Sequence, residues 1–429
     1  MTGSQLADAL GARGLGETDR PAIAAVFDRV LSVAHREAFW PYCSWTPGRL
    51  EVFGTHTDYA GGRSLVCAVP RGIALAARPR SDARVHVTDA ASNESVEIAI
   101  GERTSFGGWR RYVAVTAARL AHNFPESVRG ADIAFASTLP RASGMSSSSA
   151  LVVAIAGAIV ELSDLHQHEA WIANVRGALD VAGYYACIEN GRSFGTLAGD
   201  AGVGTHGGSE DHAAILTGRP STVSAFSFVP MTRLDDVAVP AEWRFVIAPS
   251  NVRAEKTGDA QASYNRLAEE VQALLAVWNA RGQPAASLAD AVRQAPDASD
   301  RLREMLRRLP APRFQAESLG RRLEHFLRED ALILPSIDAF RACDAAALGR
   351  LSAESQEIAE SLLRNQVPET VGLARDARRL GGFAARRFGA GFGGSVWALV
   401  GAADARRFAT AWHPDAFVMQ PGPPHVAVA

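Results

Sequence analysis

Runs of apolar and polar residues along the chain predict a mixture of helices and strands. Strand patterns are predicted within 48–80, where the polar loop THTDYAGGR interrupts them, and within 83–100, 131–137, 211–216, 221–230, 243–250 and 388–400. Helical patterns are predicted over 18–38, 108–123, 147–162, 168–188 and most of 260–380. Because the helices are segregated rather than alternating with strands, we expect an α+β fold and not a doubly wound sheet.

The centre of the chain carries a long apolar run behind a collar of four serines. From Ala150 to Leu162 nearly every residue is apolar or a good helix former. The run is too short to span a membrane, and serine is favoured at helix starts, so we predict a buried helix from Ser147. Unpaired N–H groups and the helix dipole would make this start a cradle for an anion such as phosphate. An ordinary capped core helix is the alternative.

Composition and charge favour a globular protein that acts on small molecules. The 429 residues are 47% hydrophobic and 21% charged, which suits two or three domains with substantial cores. The net charge is −2, and no arginine run stands clear of neighbouring acids, so we expect no nucleic-acid partner and no membrane partner. We therefore expect a small-molecule substrate.

Cysteine spacing and the first residues indicate a reducing compartment. Cys43, Cys67, Cys187 and Cys343 lack the spacing of metal ligands, and we interpret all four as buried thiols. Residues 1–20 carry acids early and lack a basic stretch followed by an apolar one, which predicts a cytoplasmic location.

Three glycine-rich polar loops stand next to apolar strands or helices, and they are PGRLEVFGTHTDYAGG, LPRASGMSSSSAL and FGAGFGGS. Together they strongly resemble the galactokinase branch of the GHMP small-molecule kinases, whose signatures are G-R-x-N-x-x-G-E-H-T-D-Y-x-x-G, P-x-G-x-G-L-S-S-S-A-A-L and G-A-G-F-G-G. Residues 109–113 resemble the family's W-x-N-Y-V, and 248–267 resemble its S-N-V-R segment with the later Y-N-x-R. The matches keep the family's order over residues 25–400.

The resemblance implies that ATP binds at the serine collar without a P-loop lysine. The chain's one lysine, Lys256, does not follow a GxxxxG loop, which excludes a Walker-type phosphate site. Hydroxyls and backbone N–H groups can hold phosphate oxygens when Mg²⁺ carries the positive charge. The ATP-binding residues implied in this way are Trp109, Gly144, Met145, Ser146, Ser147, Ser148 and Ser149.

Two residues match the family's magnesium ligands, Ser148 in the collar and Glu189 in ACIENG. A carboxylate is a ligand that Mg²⁺ favours. For Glu189, the alternative is a solvated acid at a helix end. Trp109 is predicted to contact adenine, and the alternative for it is a simple core position.

Catalysis is assigned by the same resemblance to Asp211 in GGSEDHAAIL and to Arg49 in PGRLEV. An arginine beside a carboxylate keeps it ionised, so Asp211 would position the sugar hydroxyl and accept its proton while Arg49 steadies phosphate charge. Glu210 is the rival base. We expect it on a strand, where its side chain would face away from that of Asp211.

Sugar recognition is implied for the first loop. Asp58 could bind two hydroxyls of a galacto-configured ring. The sugar-binding residues implied are Thr55, His56, Asp58, Tyr59 and Gly208. The final glycine turn would close over the phosphates or the sugar through Gly391, Gly393 and Gly394.

The sugar-binding motifs depart from the family pattern while the catalytic ones do not. Thr55 replaces the glutamate that meets the C6 hydroxyl in galactokinases, and Glu51 replaces their asparagine. Residues 209–212 read SEDH where the family has I-M-D-Q, and the segment before them is longer. Loss of a carboxylate at C6 leaves galacturonate, N-acetylgalactosamine and arabinose as alternatives to galactose. Galactose stays the leading expectation because Asp58 and Tyr59 are intact.

The fold implied has two lobes with the active site between them. The N-terminal lobe, 1–230, is expected to be of the ribosomal S5 domain 2-like type, and the C-terminal lobe, 231–429, to be ferredoxin-like with added helices. The implied activity is transfer of phosphate from ATP, with Mg²⁺, to the anomeric C1 hydroxyl of a sugar. A non-catalytic sugar and ATP sensor and a kinase of a non-sugar alcohol are the other hypotheses. Retention of both Arg49 and Asp211 argues against the sensor.

Overall fold

The computed structural model describes residues 1–33, 40–140, 143–252, 259–281, 283–308 and 314–428. The helices are α1 (Gly3–Gly11), α2 (Arg20–Val33), α3 (Trp109–Asn123), α4 (Ser147–Leu162), α5 (Glu169–Asn174), α6 (Ala178–Asn190), α7 (Glu210–Thr217), α8 (Asp259–Asn279), α9 (Leu288–Arg293), α10 (Ala298–Arg307), α11 (Ala316–Ala331), α12 (Ile333–Arg341), α13 (Ala345–Ile358), α14 (Pro368–Arg379) and α15 (Ala405–Trp412). The strands are β1 (Tyr42–Phe53), β2 (Arg63–Pro79), β3 (Arg84–Asp89), β4 (Glu94–Ala99), β5 (Ala131–Ser137), β6 (Thr222–Ser227), β7 (Thr232–Ala238), β8 (Trp243–Pro249), β9 (Ala384–Phe388), β10 (Ser395–Gly401), β11 (Phe417–Met419) and β12 (Val426–Ala427).

The first sheet is centred on the long antiparallel pair β1 and β2. Its order is β12-β1-β2-β5-β3-β4, with β6 added to β2 and β7 added to β6. Every residue of β1 is buried, because α2 packs on one face of the sheet and α4 on the other. The loop between β1 and β2, residues 54–62, therefore projects from a rigid hairpin.

Helix α4 forms the centre of the N-terminal core. Its side chains are almost all buried, from Ser149 to Val160, and they pack against β1, β2, α3 and α6. Full burial of each Val, Leu or Ile side chain contributes about 1.5–3 kcal/mol. The start of this helix is consequently fixed relative to β1.

The second sheet has the antiparallel order β11-β8-β10-β9. Helices α14 and α15 cover one face, and the other face, which carries Phe245 and Trp397, packs into the larger core cluster. Helices α8 to α11 form a separate apolar cluster, which also contains Tyr59 and Ala60 of the β1–β2 loop. The C-terminal half therefore supplies the surface against which that loop is packed.

The division of the strands between the two sheets follows the predicted division of the chain only approximately. Strand β7 pairs with the first sheet and β8 with the second, while β12 at the end of the chain returns to pair with β1, for instance Trp45 with Val426. The boundary at residue 230 stays a prediction. Among the described residues, no helix is long and apolar enough to cross a membrane.

Most predicted elements are confirmed, including the buried helix that begins at Ser147. Three expectations are wrong. Residues 211–216 lie in helix α7 and not in a strand, because two acids at its start favour a helix N-terminus. The predicted helix over 168–188 is two helices, α5 and α6. Cys343 is exposed and Cys187 is partly exposed, so the thiols are not all buried.

Part of the sequence prediction lies outside the described residues. This applies to the end of the opening helix beyond residue 33, to 141–142 before the serine collar, and to 253–258, which contain Lys256 and part of the S-N-V-R match.

Candidate active site

A cleft beside the β1–β2 loop collects most of the polar residues singled out in the sequence. Its lining combines β1, the β1–β2 loop, the ends of α4 and α6, the glycine-rich segment before α7, α7 itself, α8 and the final glycine turn. The residues that line it are Arg49, Glu51, His56, Asp58, Tyr59, Ser149, Glu189, Asn190, Thr205, Gly207, Gly208, Glu210, Asp211, His212, Tyr264, Gly389 and Ala390.

An ion pair between Arg49 and Asp211 lies at the centre of the cleft. Arg49 Nε donates to Asp211 Oδ1 at 2.6 Å, and Arg49 Nη1 donates to the carbonyl oxygen of Gly144 at 2.5 Å. Asp211 stands in the first turn of α7, where the helix dipole favours a negative charge. The two residues predicted to be catalytic are thus in contact, and the arginine also contacts Gly144, just before the serine collar.

The charge of Arg49 is stabilised despite its burial. Burial opposes the charged form, but the carboxylates of Asp211, Glu210 and Glu51 outweigh it and raise the pKa of the guanidinium. Arg49 is only 4% exposed, so its attraction to these carboxylates is weakly screened by solvent. It remains a permanent cation in the cleft.

Glu210 differs from Asp211 in its surroundings. Its carboxylate accepts a hydrogen bond from Ser64 Oγ at 2.7 Å, and its oxygen lies 3.6 Å from Arg49 Nε. Burial, followed by the negative charges of Glu51 and Asp58, raises its pKa well above the usual value. Since α7 is a helix, the argument from strand alternation was wrong. Glu210 differs from Asp211 in its deeper burial and in its hydrogen bond to Ser64.

The serine collar turns its hydroxyls towards carboxylates. Ser146 Oγ donates to Asp211 Oδ2 at 2.5 Å, and Ser149 Oγ lies 2.7 Å from Glu189 Oε2 and 3.2 Å from Asp211 Oδ2. Ser146 is in the left-handed conformation with φ of 56°, and its side chain does not cap the helix. Ser146 and Ser149 therefore hold the serine collar against Asp211, and Ser146 does not cap α4.

Glu189 is a buried residue at the end of α6. It is 6% exposed, and its Oε2 lies 3.5 Å from His212 Nε2. Ser149 contacts it, whereas Ser148, the predicted metal ligand, is partly buried and does not line the cleft. The alternative of a solvated acid at a helix end does not fit this burial.

The oxygen donors around Glu189 fit Mg²⁺ when phosphates complete the coordination. Among the described residues, no group of three or more His, Cys, Asp or Glu side chains could hold a metal ion. Mg²⁺ often binds through one or two carboxylates, several waters and substrate phosphates, so a site with a single carboxylate and serine hydroxyls suits it.

His56 and Tyr59 form one rigid unit in the β1–β2 loop. The His56 Nδ1 and Tyr59 hydroxyl oxygen are 2.8 Å apart, and His56 Nε2 lies 3.0 Å from the carbonyl oxygen of Ala390. Arg322 of α11 donates to the His56 carbonyl oxygen at 2.7 Å and to the Tyr59 hydroxyl at 3.0 Å. This unit links the loop to both the C-terminal helices and the final glycine turn.

Asp58 faces the cleft beside Gly208. Its Oδ2 accepts a hydrogen bond from the Glu210 N–H at 3.1 Å, and a Cβ atom at position 208 would overlap the carboxylate. Burial raises the pKa of Asp58. Gly208 is thus needed for the close approach between the two loops.

Thr55 is placed differently from its expected position at the sugar. It is fully buried and does not line the cleft, because its hydroxyl donates to Glu51 Oε1 and accepts from Arg386. Glu51 does line the cleft. Arg386 of β9 lies 3.2 Å from Glu51 Oε1, so three side chains from two lobes form one buried cluster.

The final glycine turn packs against both ends of the cleft. Gly389 and Ala390 line it, and Gly391, Gly393 and Gly394 follow immediately with φ values of 86°, 129° and 91°. These conformations favour glycine. A Cβ at Gly393 would lie 2.5 Å from the Val252 carbonyl oxygen, so the backbone there has no room for a side chain.

Trp109 lies outside this cleft. Its ring packs edge-on against Phe135 with centroids 5.2 Å apart, and its Nε1 donates to Glu94 Oε2 at 3.4 Å. Contact with adenine stays a prediction.

Several lining residues received no role from the sequence. Tyr264 belongs to the Y-N-x-R match, so that motif was the available signal. Thr205 and Gly207 belong to the long glycine-rich segment, where Asn190 Nδ2 donates to the Gly207 carbonyl oxygen at 3.1 Å. Asn265 Nδ2 also donates to the Gly204 carbonyl oxygen at 2.8 Å. This glycine-rich segment before α7 is therefore attached to α8.

Comparison with known proteins identifies the family. The model described as "Galactokinase galactose-binding signature" matches residues 35–79, "GHMP kinases N terminal domain" matches 111–191, and "GHMP kinases C terminal" matches 336–418. A galactokinase of Roseiflexus sp. is 30% identical over 361 residues, which cover 82% of each chain. A galactokinase of Actinobacillus pleuropneumoniae is 28% identical over 362 residues, which cover 83% of this chain and 84% of the relative.

Solved structures show the same fold. Lactococcus lactis galactokinase complexed with galactose superimposes with a TM-score of 0.75 at 20% identity, over 94% of this chain and 99% of that one. Methanococcus jannaschii mevalonate kinase superimposes with a TM-score of 0.56 at 15% identity, over 90% and 99%. The expected α+β GHMP kinase fold is confirmed, and the sequence relationship shows that the chain belongs to the galactokinase family.

Proposed function

We propose that this protein is an ATP-dependent kinase that phosphorylates the anomeric C1 hydroxyl of galactose. The observation that carries the proposal is the contact between Arg49 and Asp211. It lies between the proposed phosphate loop, residues 143–149, and the proposed sugar loop, residues 54–62. A sugar hydroxyl and a γ-phosphate would meet at that contact. Family membership supports the same reaction class.

Asp211 is the proposed proton acceptor. The C1 oxygen forms a bond to the γ-phosphorus, the bond from phosphorus to ADP breaks, and the hydroxyl proton passes to the Asp211 carboxylate. Arg49 keeps that carboxylate ionised and is close enough to the phosphate loop to stabilise charge on the transferring group. Glu210 is less suited to this role because its raised pKa keeps it protonated to higher pH.

The Ser146 hydroxyl, which contacts Asp211, would turn to the triphosphate on nucleotide binding. Bound Mg²⁺ supplies neutralisation of phosphate charge. We assign its protein ligands to Glu189 and Ser148, and phosphate contacts to the N–H groups at the start of α4. Ser149 would then hold the Glu189 carboxylate in place.

The charge of the cleft favours a neutral sugar over galacturonate. The lining residues Glu51, Asp58 and Glu210 are acids that surround the single lining arginine. A carboxylate on the substrate would add one more acid to this poorly solvated cluster, where burial already raises the pKa of Asp58 and of Glu210.

A screen of ATP consumption tests the proposal. Purified protein is assayed with MgATP and galactose, galacturonate, N-acetylgalactosamine, arabinose or mevalonate, and ³¹P NMR locates the phosphate on the product. We expect turnover with galactose and a signal from a C1 phosphate ester. Binding of ATP and galactose without turnover would identify a sensor instead, and turnover with another alcohol alone would contradict the proposed substrate.

A further inference from the structure

We propose that Glu51, and not residue 55, presents the carboxylate oxygen that binds the C6 hydroxyl of the sugar. The inference rests on the proposed function, since it names the residue that reads one hydroxyl of the proposed substrate. It concerns two changes from the galactokinase pattern, Asn to Glu at 51 and Glu to Thr at 55. The two side chains are in contact with each other.

Glu51 stands on the same face of β1 as Arg49. The pairing of β1 with β2 is regular across these residues, with Arg49 opposite Ala68 and Glu51 opposite Val66. Side chains two residues apart on a strand point the same way and are about 6.6 Å apart along it. A pyranose ring whose C1 hydroxyl lies at Arg49 and Asp211 can therefore place its far edge at Glu51.

The Glu51 carboxylate is fixed through one oxygen. Thr55 Oγ1 and Arg386 Nη2 both donate to Oε1. Among the described residues, every hydrogen bond to this carboxylate reaches Oε1, which leaves Oε2 as the oxygen for a ligand in the cleft that Glu51 lines. A carboxylate held in this way is preorganised to accept a hydroxyl proton.

Thr55 serves this carboxylate and cannot reach the sugar itself. Its exposure is 0%, and its short side chain is occupied by Glu51 and Arg386. Arg386 is also fully buried, and it donates to the Val52 carbonyl oxygen at 2.8 Å and lies 3.7 Å from Glu329. The guanidinium thus sits between two glutamates, of which only Glu51 faces the cleft.

The two sequence changes compensate for each other. A carboxylate is lost at 55 and gained at 51, while Arg386 provides the buried positive charge that the new carboxylate needs. The site would keep its preference for a neutral C6 hydroxyl. It would reject a substrate with a carboxylate at C6, because that group would face Glu51.

A substrate-deletion experiment tests this assignment. Values of kcat/KM are measured for galactose, 6-deoxygalactose and 2-deoxygalactose with the wild type and with Glu51→Gln. We expect the wild type to prefer galactose to 6-deoxygalactose by about 10- to 100-fold, as for other hydrogen bonds to a charged group. In Glu51→Gln this ratio should fall at least fivefold, and the ratio of galactose to 2-deoxygalactose should stay within twofold of the wild type.

Glu329→Gln is the matched control, because it removes a carboxylate from beside the same guanidinium, keeps an oxygen that can accept from the Gly54 N–H, and leaves the lining of the cleft unchanged. We expect its ratio of galactose to 6-deoxygalactose to stay within twofold of the wild type. The double variant Glu51→Asn with Thr55→Glu keeps the number of charges beside Arg386 and should recover the wild-type ratio. If Glu51→Gln does not fold, Glu51→Asp is the second test, because it withdraws the carboxylate from the sugar and should lower the same ratio.

Three results would overturn the inference. They are an unchanged 6-deoxy ratio in Glu51→Gln, an equal change in Glu329→Gln, or a change confined to 2-deoxygalactose. If the wild type turns over galactose normally, any of these defeats the role of Glu51 alone. If the wild type does not phosphorylate galactose, the proposed function fails, and the inference fails with it.

Discussion

The sugar end and the phosphate end of the cleft are held by different kinds of contact. At the sugar end, the backbone of the β1–β2 loop is bound by side chains from far along the chain. Glu329 accepts from the Gly54 N–H at 3.0 Å, and Asp330 accepts from the Arg63 N–H at 2.7 Å. At the phosphate end, serine hydroxyls donate to carboxylates, as Ser146 does to Asp211 and Ser149 to Glu189.

This difference indicates that the two ends are prepared for their ligands in opposite ways. The sugar loop is preorganised by α11, so its shape costs little to maintain when a ligand binds. In the proposed reaction, the contact of Ser146 with Asp211 would be exchanged when a triphosphate enters. Substitutions at the sugar end should therefore affect folding and sugar affinity, while those at the phosphate end should mainly affect turnover and the metal requirement.

The largest effect is expected at Asp211, where the two ends meet. Asp211→Asn removes the proton acceptor while keeping the shape of the side chain, so kcat should fall by about 100-fold or more. ATP affinity, measured by isothermal titration calorimetry, should stay within a few-fold of the wild type, because the residue serves the sugar hydroxyl.

Two observations would contradict this assignment. Retention of more than about a tenth of the wild-type kcat would show that another group accepts the proton. Loss of ATP binding together with kcat would place Asp211 in the nucleotide site instead.

The second effect tests the support of the sugar loop from α11. Arg322→Met leaves the carbonyl oxygen of His56 and the Tyr59 hydroxyl without their buried donor, so we expect a loss of roughly 3 kcal/mol in the free energy of unfolding. Denaturant unfolding measures it. The KM for sugar should rise while the KM for ATP changes little.

Arg321→Met is the matched control in the same helix. Its guanidinium forms an ion pair with Glu317, an exposed residue at the start of α11, and such pairs contribute little. The control should lie within about 0.5 kcal/mol of the wild type. Equal losses in the two variants would show that the loop does not depend on Arg322.

Local patterns predicted the parts of the molecule whose structure is determined locally. The helix that begins at Ser147, the strands of the first hairpin and the proximity of Arg49 to Asp211 followed from apolar periodicity and recognised motifs. Helix α7 was missed because the apolar pattern of the short segment DHAAIL fits a strand and a helix equally well, although the two acids at its start favour a helix N-terminus.

The support of the sugar end could not be predicted from the sequence. Arg322, Glu329 and Arg386 are more than 250 positions away from the loop residues they contact, and no local pattern connects them. The substitution of Thr55 suggested a change at C6, but the compensating role of Glu51 depends on Arg386 from β9. Long-range pairs of buried charges are visible only in the fold.

The third effect separates two neighbouring serines of the phosphate loop. Ser148→Ala should lower kcat about tenfold and raise the Mg²⁺ concentration needed for half-maximal activity, because it removes a proposed metal ligand. Ser149→Ala removes hydrogen bonds to Glu189 and Asp211 but no proposed metal ligand, at a position where the family has alanine, so kcat should change less than threefold. Activity measured against Mg²⁺ concentration distinguishes them, and equal effects would show that the metal ligand is misassigned.

The smallest effect concerns the proton on Glu210. In the unfolded chain this carboxyl group loses its proton near its ordinary pKa of 4.5, whereas burial and the nearby acids raise its pKa well above that in the folded protein. The folded state therefore binds the proton more tightly, and the stability from this group declines as the pH rises above 4.5 towards the folded-state pKa.

Glu210→Gln has no proton to lose and keeps an oxygen that can accept from Ser64. Between pH 5 and pH 8 the wild-type Tm should fall by about 1–2 °C more than that of the variant, measured by differential scanning calorimetry. The exposed Glu357→Gln should follow the wild type over the same range. If Glu210→Gln does so too, Glu210 is ionised in the folded protein, and it would again compete with Asp211 as the base.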